Sequence, residues 1–276
     1  MTEGAAIVGL GDWLKSPAGR YLIEWEQRHV DAMVADIFGF HALQLGLSEL
    51  DALKANRMPH RWTCVPQVDG SVSHAEGAQH SMNGRGVALC CDFDALPFDA
   101  QSLDLVVMPH TLELARDPHE TLREVDRVLR PEGQVVILGF NSASLWGLRQ
   151  RMGTLRRGFG FGTRKPLFLP RTGDFIGYRR LRDWLRLLSF EVESGRFGCY
   201  VPPARSQQWL SRFDWMERAG DRWWPVFGAV YALTAVKRVR GMRLVGLARD
   251  QRTKAKAAPA VAVHHRREKT AAEQEP

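Results

Sequence analysis

The stretch that decides the fold begins with Val87-Ala-Leu-Cys-Cys-Asp-Phe-Asp-Ala-Leu-Pro-Phe98, in which a short apolar strand runs into a carboxylate, Asp92. A second apolar strand follows at Leu103–Met108, and a third at Gln134–Gly139. Between these two strands lies a helix, and Arg130-Pro-Glu-Gly133 is predicted to be the turn that ends it. Strand, loop, strand, helix, strand at this spacing is typical of an open α/β sheet, which binds its ligands at the carboxyl ends of its strands.

The composition is that of a soluble globular protein with a basic second half. The 276 residues are enough for one large α/β domain, and 45% of them are apolar and 25% charged. The net charge is +7, and between Arg149 and Arg182 the one acid is Asp174. Such a surplus permits an anionic partner, either nucleic acid or a membrane surface, although a solvated basic face is the favoured interpretation.

The sequence points to a cytoplasmic protein without a metal site. The four cysteines lack the spacing of a zinc site and are interpreted as structural thiols of a reducing compartment. The first residues lack the basic and apolar regions of a signal peptide. The longest apolar run, at about 225–236, is shorter than the roughly 20 residues that span a bilayer.

The chain is predicted to fall into three parts. Residues 1–37 form an N-terminal helical cap, in which Ser16-Pro17 begins a helix that reaches about Phe38. The main domain covers residues 38–245, and residues 246–276 form a disordered basic tail. The first two strands are expected at His41–Gly46 and Arg61–Val65.

Other segments of the main domain are assigned from composition and periodicity. Residues 48–56 begin like a helix capping box, with Ser48 and Asp51 in its two positions, and residues 67–86 are a polar loop. Residues 142–171 are a loop insertion with some helix at Ser144–Met152. Residues 206–224 form a Trp-rich segment, for which packing into the core is favoured over a lid or a membrane contact.

The remaining elements follow the same rules. Asp117-Pro118 is the start of the helix that precedes the third strand of the deciding stretch, with Asp117 as its N-cap. An amphipathic helix buries Leu181, Leu185 and their neighbours, and a strand follows at Phe190–Ser194. The last strand is predicted at Val226–Val236.

Four motifs in this order resemble the class I S-adenosylmethionine-dependent methyltransferases of the type 11 family. They match the D-x-x-x-L-P-F, F-D-L-V, L-E-H and R-V-L-K-P-G-G signatures of that family, with Leu103, Leu114 and Glu132 as departures. The motifs are Asp92–Phe98, Ser102–Val107, Leu112–Leu114 and Leu122–Gly133.

The resemblance implies a Rossmann-like, seven-stranded, mostly parallel sheet with helices on both faces and S-adenosylmethionine as the cofactor. It implies that Asp92 accepts a hydrogen bond from the adenine amino group, and that Phe93 packs against the adenine ring. Pro109 and His110 are expected to line the methionine end of the cofactor and the methyl-transfer pocket.

The chain departs from the family at the end of the first strand. The family has an acid and a Gly-x-Gly-x-Gly loop there, which lets the backbone approach the cofactor. Here Gln44 replaces the acid, and Leu45 and Gly46 follow it with one glycine left of the three. The resemblance therefore implies that these three residues bind the cofactor in a modified mode, or that the chain is a catalytically weakened relative.

Two further residues are candidates for the chemistry. His110 has a side chain whose ordinary pKa is near neutrality, and it would serve as a general base at the end of its strand. A histidine in that place is otherwise a polar loop residue. Asn141 follows the next strand and would face the substrate, and Glu113 is interpreted as a surface acid.

The resemblance favours a methyltransferase that aligns a small-molecule acceptor with the cofactor methyl group. A non-catalytic or regulatory binding protein on the same fold is the alternative. An RNA methyltransferase is a third, less favoured hypothesis, since Met108-Pro-His110 is a poor match to the Asn-Pro-Pro-Tyr motif of base-methylating enzymes. The methyl acceptor and the oligomeric state are not encoded in any pattern of the sequence.

Overall fold

The computed structural model describes residues 10–66, 89–158, 169, 175–203, 207–213 and 215–238. The eight helices of these ranges are α1 (Leu10–Leu14), α2 (Pro17–Val34), α3 (Thr111–Leu114), α4 (Pro118–Val128), α5 (Leu145–Gly158), α6 (Tyr178–Leu187), α7 (Gln207–Arg212) and α8 (Trp215–Trp223). The strands are β1 (His41–Leu45), β2 (His60–Val65), β3 (Leu89–Cys90), β4 (Leu103–Pro109), β5 (Leu129–Phe140), β6 (Phe190–Gly198) and β7 (Val230–Lys237). Among the described residues, none of the helices is long and apolar enough to cross a membrane.

The seven strands form one sheet in the order β3-β2-β1-β4-β5-β7-β6. The pairs β1–β2, β1–β4, β2–β3 and β4–β5 are parallel, while β7 is antiparallel to both of its neighbours. The predicted mostly parallel, seven-stranded sheet is therefore confirmed. The chain reverses its direction of travel across the sheet between β1 and β4, and their carboxyl ends form the crevice in which such folds bind ligands.

Each face of the sheet is covered by its own helices. One buried cluster joins β1, β4 and β5 to α1 and α2 through side chains that include Leu22, Trp25 and Val30. The other joins the opposite face to α4 and α6 through Leu122, Leu181 and their neighbours. The sheet is consequently shielded on both sides, as its runs of apolar residues require.

Helix α2 begins where it was predicted to begin and ends earlier. The Ser16 hydroxyl accepts a hydrogen bond from the Gly19 N–H, and Pro17 occupies the first turn. The helix stops at Val34 rather than near Phe38. The Asn56 amide donates to the carbonyl oxygens of Val34 and Ile37, at 2.9 and 3.1 Å. Carbonyls at the end of the helix thus find a side-chain partner that no pattern in the α2 sequence shows.

The turn predicted at residues 130–133 is confirmed, but it lies within a strand. Leu103 pairs with Leu129 and Leu105 pairs with Gln134, so four residues of β5 loop out between neighbouring pairs. Glu132 has a φ of 64°, a left-handed conformation that this loop requires. Helix α4 therefore passes into β5 without a connecting loop.

Three other sequence predictions need correction. Residues 48–56 form turns rather than a capped helix, and β7 begins at Val230 because Pro225–Phe227 is a 3₁₀ turn. Helix α5 is longer than the helix predicted at Ser144–Met152. The polar loop predicted at 67–86 and the tail predicted at 246–276 lie outside the described residues.

The prediction that the Trp-rich segment packs into the core is wrong. Trp209, Trp215 and Trp223 are 53%, 57% and 74% exposed. Helices α7 and α8 use smaller residues on their inner faces. Leu210 is buried, and Gly220 lies against the Tyr200 ring, where an added Cβ would come within 2.2 Å of Cγ. Because these small residues make the contact, the indoles point outward.

Asp104 ties the start of β1 to β4 and β5. Its carboxylate accepts hydrogen bonds from the N–H groups of Phe40 and His41, at 2.8 and 2.9 Å, and pairs with Arg130 at 3.0 Å. Burial alone would raise the pKa of Asp104. The two backbone hydrogen bonds and Arg130 outweigh burial and hold it below its usual value.

We expect Asp104→Asn to lower the free energy of unfolding by about 1–2 kcal/mol near neutral pH, since a charge-assisted acceptor is lost. A carboxyl group whose pKa is depressed by folding stabilises the protein above its unfolded pKa of about 4, and this stabilisation is lost as the pH falls through the folded pKa. Urea denaturation across that acid range should therefore show a smaller loss of stability in Asp104→Asn. An equal loss in both proteins would contradict the assignment.

Candidate functional site

The candidate site lies where β1 and β4 end side by side. After Leu45 the chain turns at Gly46, whose φ is 91°, and after Pro109 it turns at His110, whose φ is 53°. The Thr111 hydroxyl donates to the Leu45 carbonyl and holds the two turns together. Two left-handed residues at one strand edge bring backbone from both strands toward the crevice.

Gly46 has no room for a side chain. A Cβ there would lie 3.1 Å from Thr111 Oγ1 and 3.6 Å from the Pro109 carbonyl oxygen, in a backbone conformation that L-residues rarely adopt. The one glycine left of the expected three therefore occupies the position that needs it most. It lets the end of β1 turn closely against Pro109 and Thr111 at the end of β4.

The Gln44 side chain makes its hydrogen bonds within the protein. Its side-chain N–H groups donate to the carbonyl oxygens of Leu47 and Leu50, each at 2.7 Å, and its side-chain oxygen accepts from the Ala52 N–H at 2.9 Å. The side chain is almost fully buried. Gln44 thus organises the loop after β1 through these bonds, and its side chain does not face a ligand. Leu45, the next residue, is fully buried and offers its backbone alone.

His110 lies between two buried carboxylates. Its Nε2 is 2.7 Å from Glu26 Oε1 on α2, and its Nδ1 is 2.9 Å from Glu113 Oε2 on α3. All three residues are at most 4% exposed. Because both ring nitrogens face acceptors, the ring is an imidazolium that donates on both sides.

The direction in which the pKa of His110 is shifted agrees with that geometry. Burial alone would lower the pKa of His110, but the charges of Glu26 and Glu113 and their hydrogen bonds raise it to about 10. The imidazolium is therefore retained at neutral pH. A ring that is already protonated, with carboxylates at both nitrogens, does not take a proton from a substrate, so the geometry opposes the predicted role as a general base.

The same network reaches β5. The other carboxylate oxygen of Glu113 accepts a hydrogen bond from the Phe140 N–H at the end of that strand. The Phe140 ring lies 4.3 Å from the His110 ring, and Trp13 of α1 meets its edge at 6.2 Å. Phe175 lies 5.5 Å from it on another side. A group of aromatic rings thus lies at the ends of β4 and β5, directly beside the imidazolium.

One atom of this network lacks a partner. Glu26 Oε2 is buried and makes no hydrogen bond within the described part of the chain. An unpaired carboxylate oxygen in the interior is costly, and native proteins keep such groups where a ligand or a function uses them. The orphaned oxygen therefore marks the neighbourhood of His110 as a place for a cationic or N–H-bearing group.

The residues after β3 divide into one exposed side chain and one buried one. The Asp92 side chain is exposed at the carboxyl edge of the sheet, as a cofactor contact requires. Phe93 is 6% exposed and packs into the cluster beneath α4 and α6, so its ring belongs to the core rather than to an adenine site. The Cys64 and Cys91 thiols lie in contact beside Asp92 and join the ends of β2 and β3.

Asn141 connects backbone segments. Its amide donates to the Val226 and Gly228 carbonyl oxygens, at 2.6 and 2.9 Å, and its oxygen accepts from the Ala143 N–H. The side chain is buried, and its contacts do not support the predicted position facing a substrate.

An open groove of about 700 Å³ adjoins this end of the sheet, between α2 and the loop after β1. Its lining is mostly charged and includes Arg28 and Asp31 of α2 and Lys54 of the loop. The groove suits a polar group better than an apolar one.

Comparison with known proteins agrees with the topology. Residues 50–137 match the family model of a methyltransferase domain. This stretch includes β2, β3, β4 and most of β5, together with Asp92 and His110. Residues 50–137 are therefore a methyltransferase domain of the type 11 family.

Two curated relatives match parts of this chain. The chain is 34% identical over 181 residues to an uncharacterised Escherichia coli protein, YafS, a stretch that covers 65% of each. It is 29% identical over 79 residues to the mitochondrial 2-methoxy-6-polyprenyl-1,4-benzoquinol methylase of Caenorhabditis elegans, covering 29% of this chain and 28% of that enzyme. The matched stretches span less than two thirds of either relative's length.

A solved structure supports the fold. In the complex of the Haloferax volcanii Trm112 methyltransferase activator with a methyltransferase, the matched chain is 17% identical to this one and has a TM-score of 0.53. The match covers 84% of this chain and 97% of that one. At this identity it is the methyltransferase fold that is shared.

Around His110, sequence reasoning missed Glu26 and misread Glu113 as a surface acid. Glu26 carried a signal, because it lies four residues after Leu22 and four before Val30 on the buried stripe of α2. A carboxylate in an apolar stripe needs a buried cation. Glu113 belongs to the motif of the family, but its inward orientation depends on β5, which is far away in sequence.

We expect Gln44→Glu, which restores the acid of the methyltransferase family, to destabilise this protein by about 2–4 kcal/mol. A carboxylate there would face the Leu47 and Leu50 carbonyl oxygens in the interior without a donor for them. The measurement is the free energy of unfolding in urea. The control, Gln44→Met, keeps the length and loses the hydrogen bonds without adding a charge, and it should cost less. A Gln44→Glu protein as stable as wild type would refute the role of Gln44.

His110→Gln should cost about 3–5 kcal/mol, because two carboxylates lose a buried cation. The pH dependence of the free energy of unfolding provides a second test of the charged state of His110. A histidine whose pKa is raised by folding contributes stability that is complete below its unfolded pKa of about 6.5 and is lost as the pH rises through the folded value of about 10. Stability measured over that range should therefore fall more in wild type than in His110→Gln. Parallel curves would show that His110 is not protonated in the folded protein.

Proposed function

We propose that this protein transfers the methyl group of S-adenosylmethionine to a small aromatic acceptor of the quinol class. The observation that carries the proposal is the junction of β1 and β4. A glycine with positive φ, a buried imidazolium and an orphaned carboxylate oxygen meet there, in a domain of the methyltransferase family. The cofactor would supply an electrophilic methyl group on a sulfonium.

The residues present fit that cofactor in a modified manner. Gly46 allows the backbone of β1 to approach the methionine part, and the exposed Asp92 carboxylate is suited to accept from the adenine amino group. Glu26 has a buried oxygen without a partner, and we propose that it accepts from the methionine ammonium in place of the acid that Gln44 replaces. Pro109 would contribute its backbone at the same edge.

The acceptor has to be nucleophilic without help from His110, because that ring is held as an imidazolium. Its hydroxyl or ring carbon would react when it is aligned with the methyl group, and alignment alone supplies a large part of such rate enhancements. Quinol-type rings carry their own activating hydroxyl groups. The benzoquinol methylase of Caenorhabditis elegans, with its polyprenyl-bearing substrate, supports this choice of class.

The aromatic rings beside His110 favour a flat acceptor. The partly buried rings of Trp13 and Phe175 pack on Phe140 at the end of β5, and aromatic edges and faces of this kind pack well against a planar ligand.

We expect S-adenosylmethionine to bind wild type in titration calorimetry, and two variants to lose different parts of that binding. Asp92→Asn should weaken S-adenosylmethionine and 5′-methylthioadenosine alike, by about tenfold or more, since both ligands carry the adenine amino group. Glu26→Gln should weaken S-adenosylmethionine by about tenfold and leave 5′-methylthioadenosine unchanged, since the latter lacks the methionine ammonium.

Asp94→Asn is the matched control for Asp92, because it removes an exposed carboxylate two residues further along the chain. Unfolding in urea shows whether either variant has simply lost its fold. If Glu26→Gln weakens both ligands equally, Glu26 is not the partner of the ammonium. If wild type binds neither ligand at millimolar concentration, the cofactor proposal fails.

A non-catalytic binding protein on the same fold is the second candidate function. The observation that favours it is the commitment of Gln44 to internal hydrogen bonds, which removes the ligand contact of the family. Under this alternative, wild type would bind the demethylated product S-adenosylhomocysteine or the acceptor, yet would not transfer a radiolabelled methyl group to any quinol supplied. Transfer of the label would exclude it.

A further inference from the structure

A group of exposed apolar side chains lies on α5, α7, α8 and the 3₁₀ turn that follows α8. We call it the apolar rim, and each member is at least 39% exposed. Its members are Leu145, Leu148, Met152, Leu155, Trp209, Trp215, Trp223, Trp224, Val226 and Phe227. So many large apolar groups on neighbouring elements are typical of an interaction surface.

The part of the rim on α5 is a regular stripe. Its four members recur at intervals of three and four residues, so they lie on one face of the helix. Trp146 lies on the other face, is 1% exposed, and donates its indole N–H to the Val201 carbonyl at 2.7 Å. Because Trp146 anchors the helix, the stripe has to point outward.

The other part of the rim is connected to the stripe through the backbone that supports it. The Asn141 amide, just before α5, donates to the carbonyl of Val226 in the 3₁₀ turn. The Arg149 guanidinium donates to the Pro203 carbonyl, just before α7. Both parts therefore belong to the end of the sheet at which β4 and β5 meet the candidate site.

Basic side chains accompany the rim. Arg149 and Arg151 flank the stripe, since their positions on the helix lie to either side of it. On α8 the acid Glu217 is drawn inward by the N–H groups of Cys199 and Tyr200. Among the side chains of α5, α7 and α8 that the structure describes, the exposed charges are Arg149, Arg151, Arg212, Arg218, Asp221 and Arg222. One acid among five arginines leaves this surface positive.

We propose that the apolar rim docks this protein onto an anionic lipid membrane. Leucine and methionine side chains on a helix that lies in the plane of the interface enter the acyl region, tryptophans settle at the headgroup level, and arginines pair with lipid phosphates. The apolar rim and the arginines beside it place all three classes of side chain on one end of the molecule.

Charge and chemistry favour a membrane over other occupants. A second copy of the chain would bring the same arginines face to face, which opposes association. RNA would use the arginines and would stack on the tryptophans, but it leaves the aliphatic stripe of α5 without a partner. Of these three partners, the membrane is the one that would contact both the apolar stripe of α5 and the arginines.

This inference deepens the proposed function, and its link to a lipid-borne acceptor rests on that proposal. Docking by the rim brings the ends of β4 and β5 to the bilayer, where an acceptor with a prenyl tail resides. Membrane binding itself needs neither cofactor nor acceptor. Vesicle binding and cofactor binding can therefore fail independently of each other.

The test is cosedimentation of the full chain with vesicles of phosphatidylcholine alone or of phosphatidylcholine mixed with phosphatidylglycerol. We expect wild type to bind the anionic vesicles and to leave the neutral ones largely unbound. The triple variant Leu148→Gln, Met152→Gln, Leu155→Gln should lose about tenfold or more of its affinity, because the apolar stripe is removed without a change of charge. Arg151→Gln should weaken binding to anionic vesicles less, and in a salt-dependent manner.

Leu187→Gln is the matched control, since Leu187 is an exposed leucine at the end of α6, on the opposite face of the sheet. This substitution should leave vesicle binding unchanged. Far-ultraviolet circular dichroism shows whether the variants keep their fold. Equal binding of wild type and the triple variant would overturn the proposal. So would a wild-type dimer that the triple variant converts to a monomer without vesicle binding, or binding of single-stranded RNA in preference to vesicles.

Discussion

The buried ion network of Glu26, His110 and Glu113 is the interaction on which the rest of this end of the molecule depends. It joins α2, the end of β4 and α3, and through Glu113 it reaches the backbone of β5. Buried charges are tolerated where each one is paired. Removing one partner leaves the others buried, and nothing then offsets the cost of their desolvation. The position of α2 over the sheet is therefore determined by charge as well as by its apolar stripe.

This network also decides what kind of chemistry the site supports. An imidazolium whose two N–H groups are both paired with carboxylates is a poor base, so the site favours alignment of the reactants over proton transfer. A methyl donor that is already activated suits such a site, since the transfer requires little more than a correct approach.

Much of the fold followed from local pattern, and most of the site did not. The strands β1, β2 and β4 and the start of α4 were predicted correctly because their signals are contained in a few neighbouring residues. The outward orientation of the tryptophan side chains on α7 and α8 was not predicted, since it depends on Gly220 fitting against the Tyr200 ring. The roles of Gln44 and Asn141 were missed for a related reason. Each is determined by hydrogen bonds to backbone whose placement is known only after the chain has folded.

In the proposed cofactor site, Glu26 would take the place of the acid that Gln44 replaces, so the motif would change while its chemistry is kept. An acid in the β1 position would now be opposed by two carbonyl oxygens, because the segment after β1 forms turns that use Gln44 as a donor. A carboxylate supplied from α2 has no such conflict, and its second oxygen remains unpaired beside the same strand ends. Helix α2 precedes the matched family segment in sequence, yet it carries the charge that the segment lacks. If Glu26 binds the methionine ammonium as proposed, a degenerate motif after β1 is weak grounds for inferring a lost ligand site, since a neighbouring helix supplies the missing group.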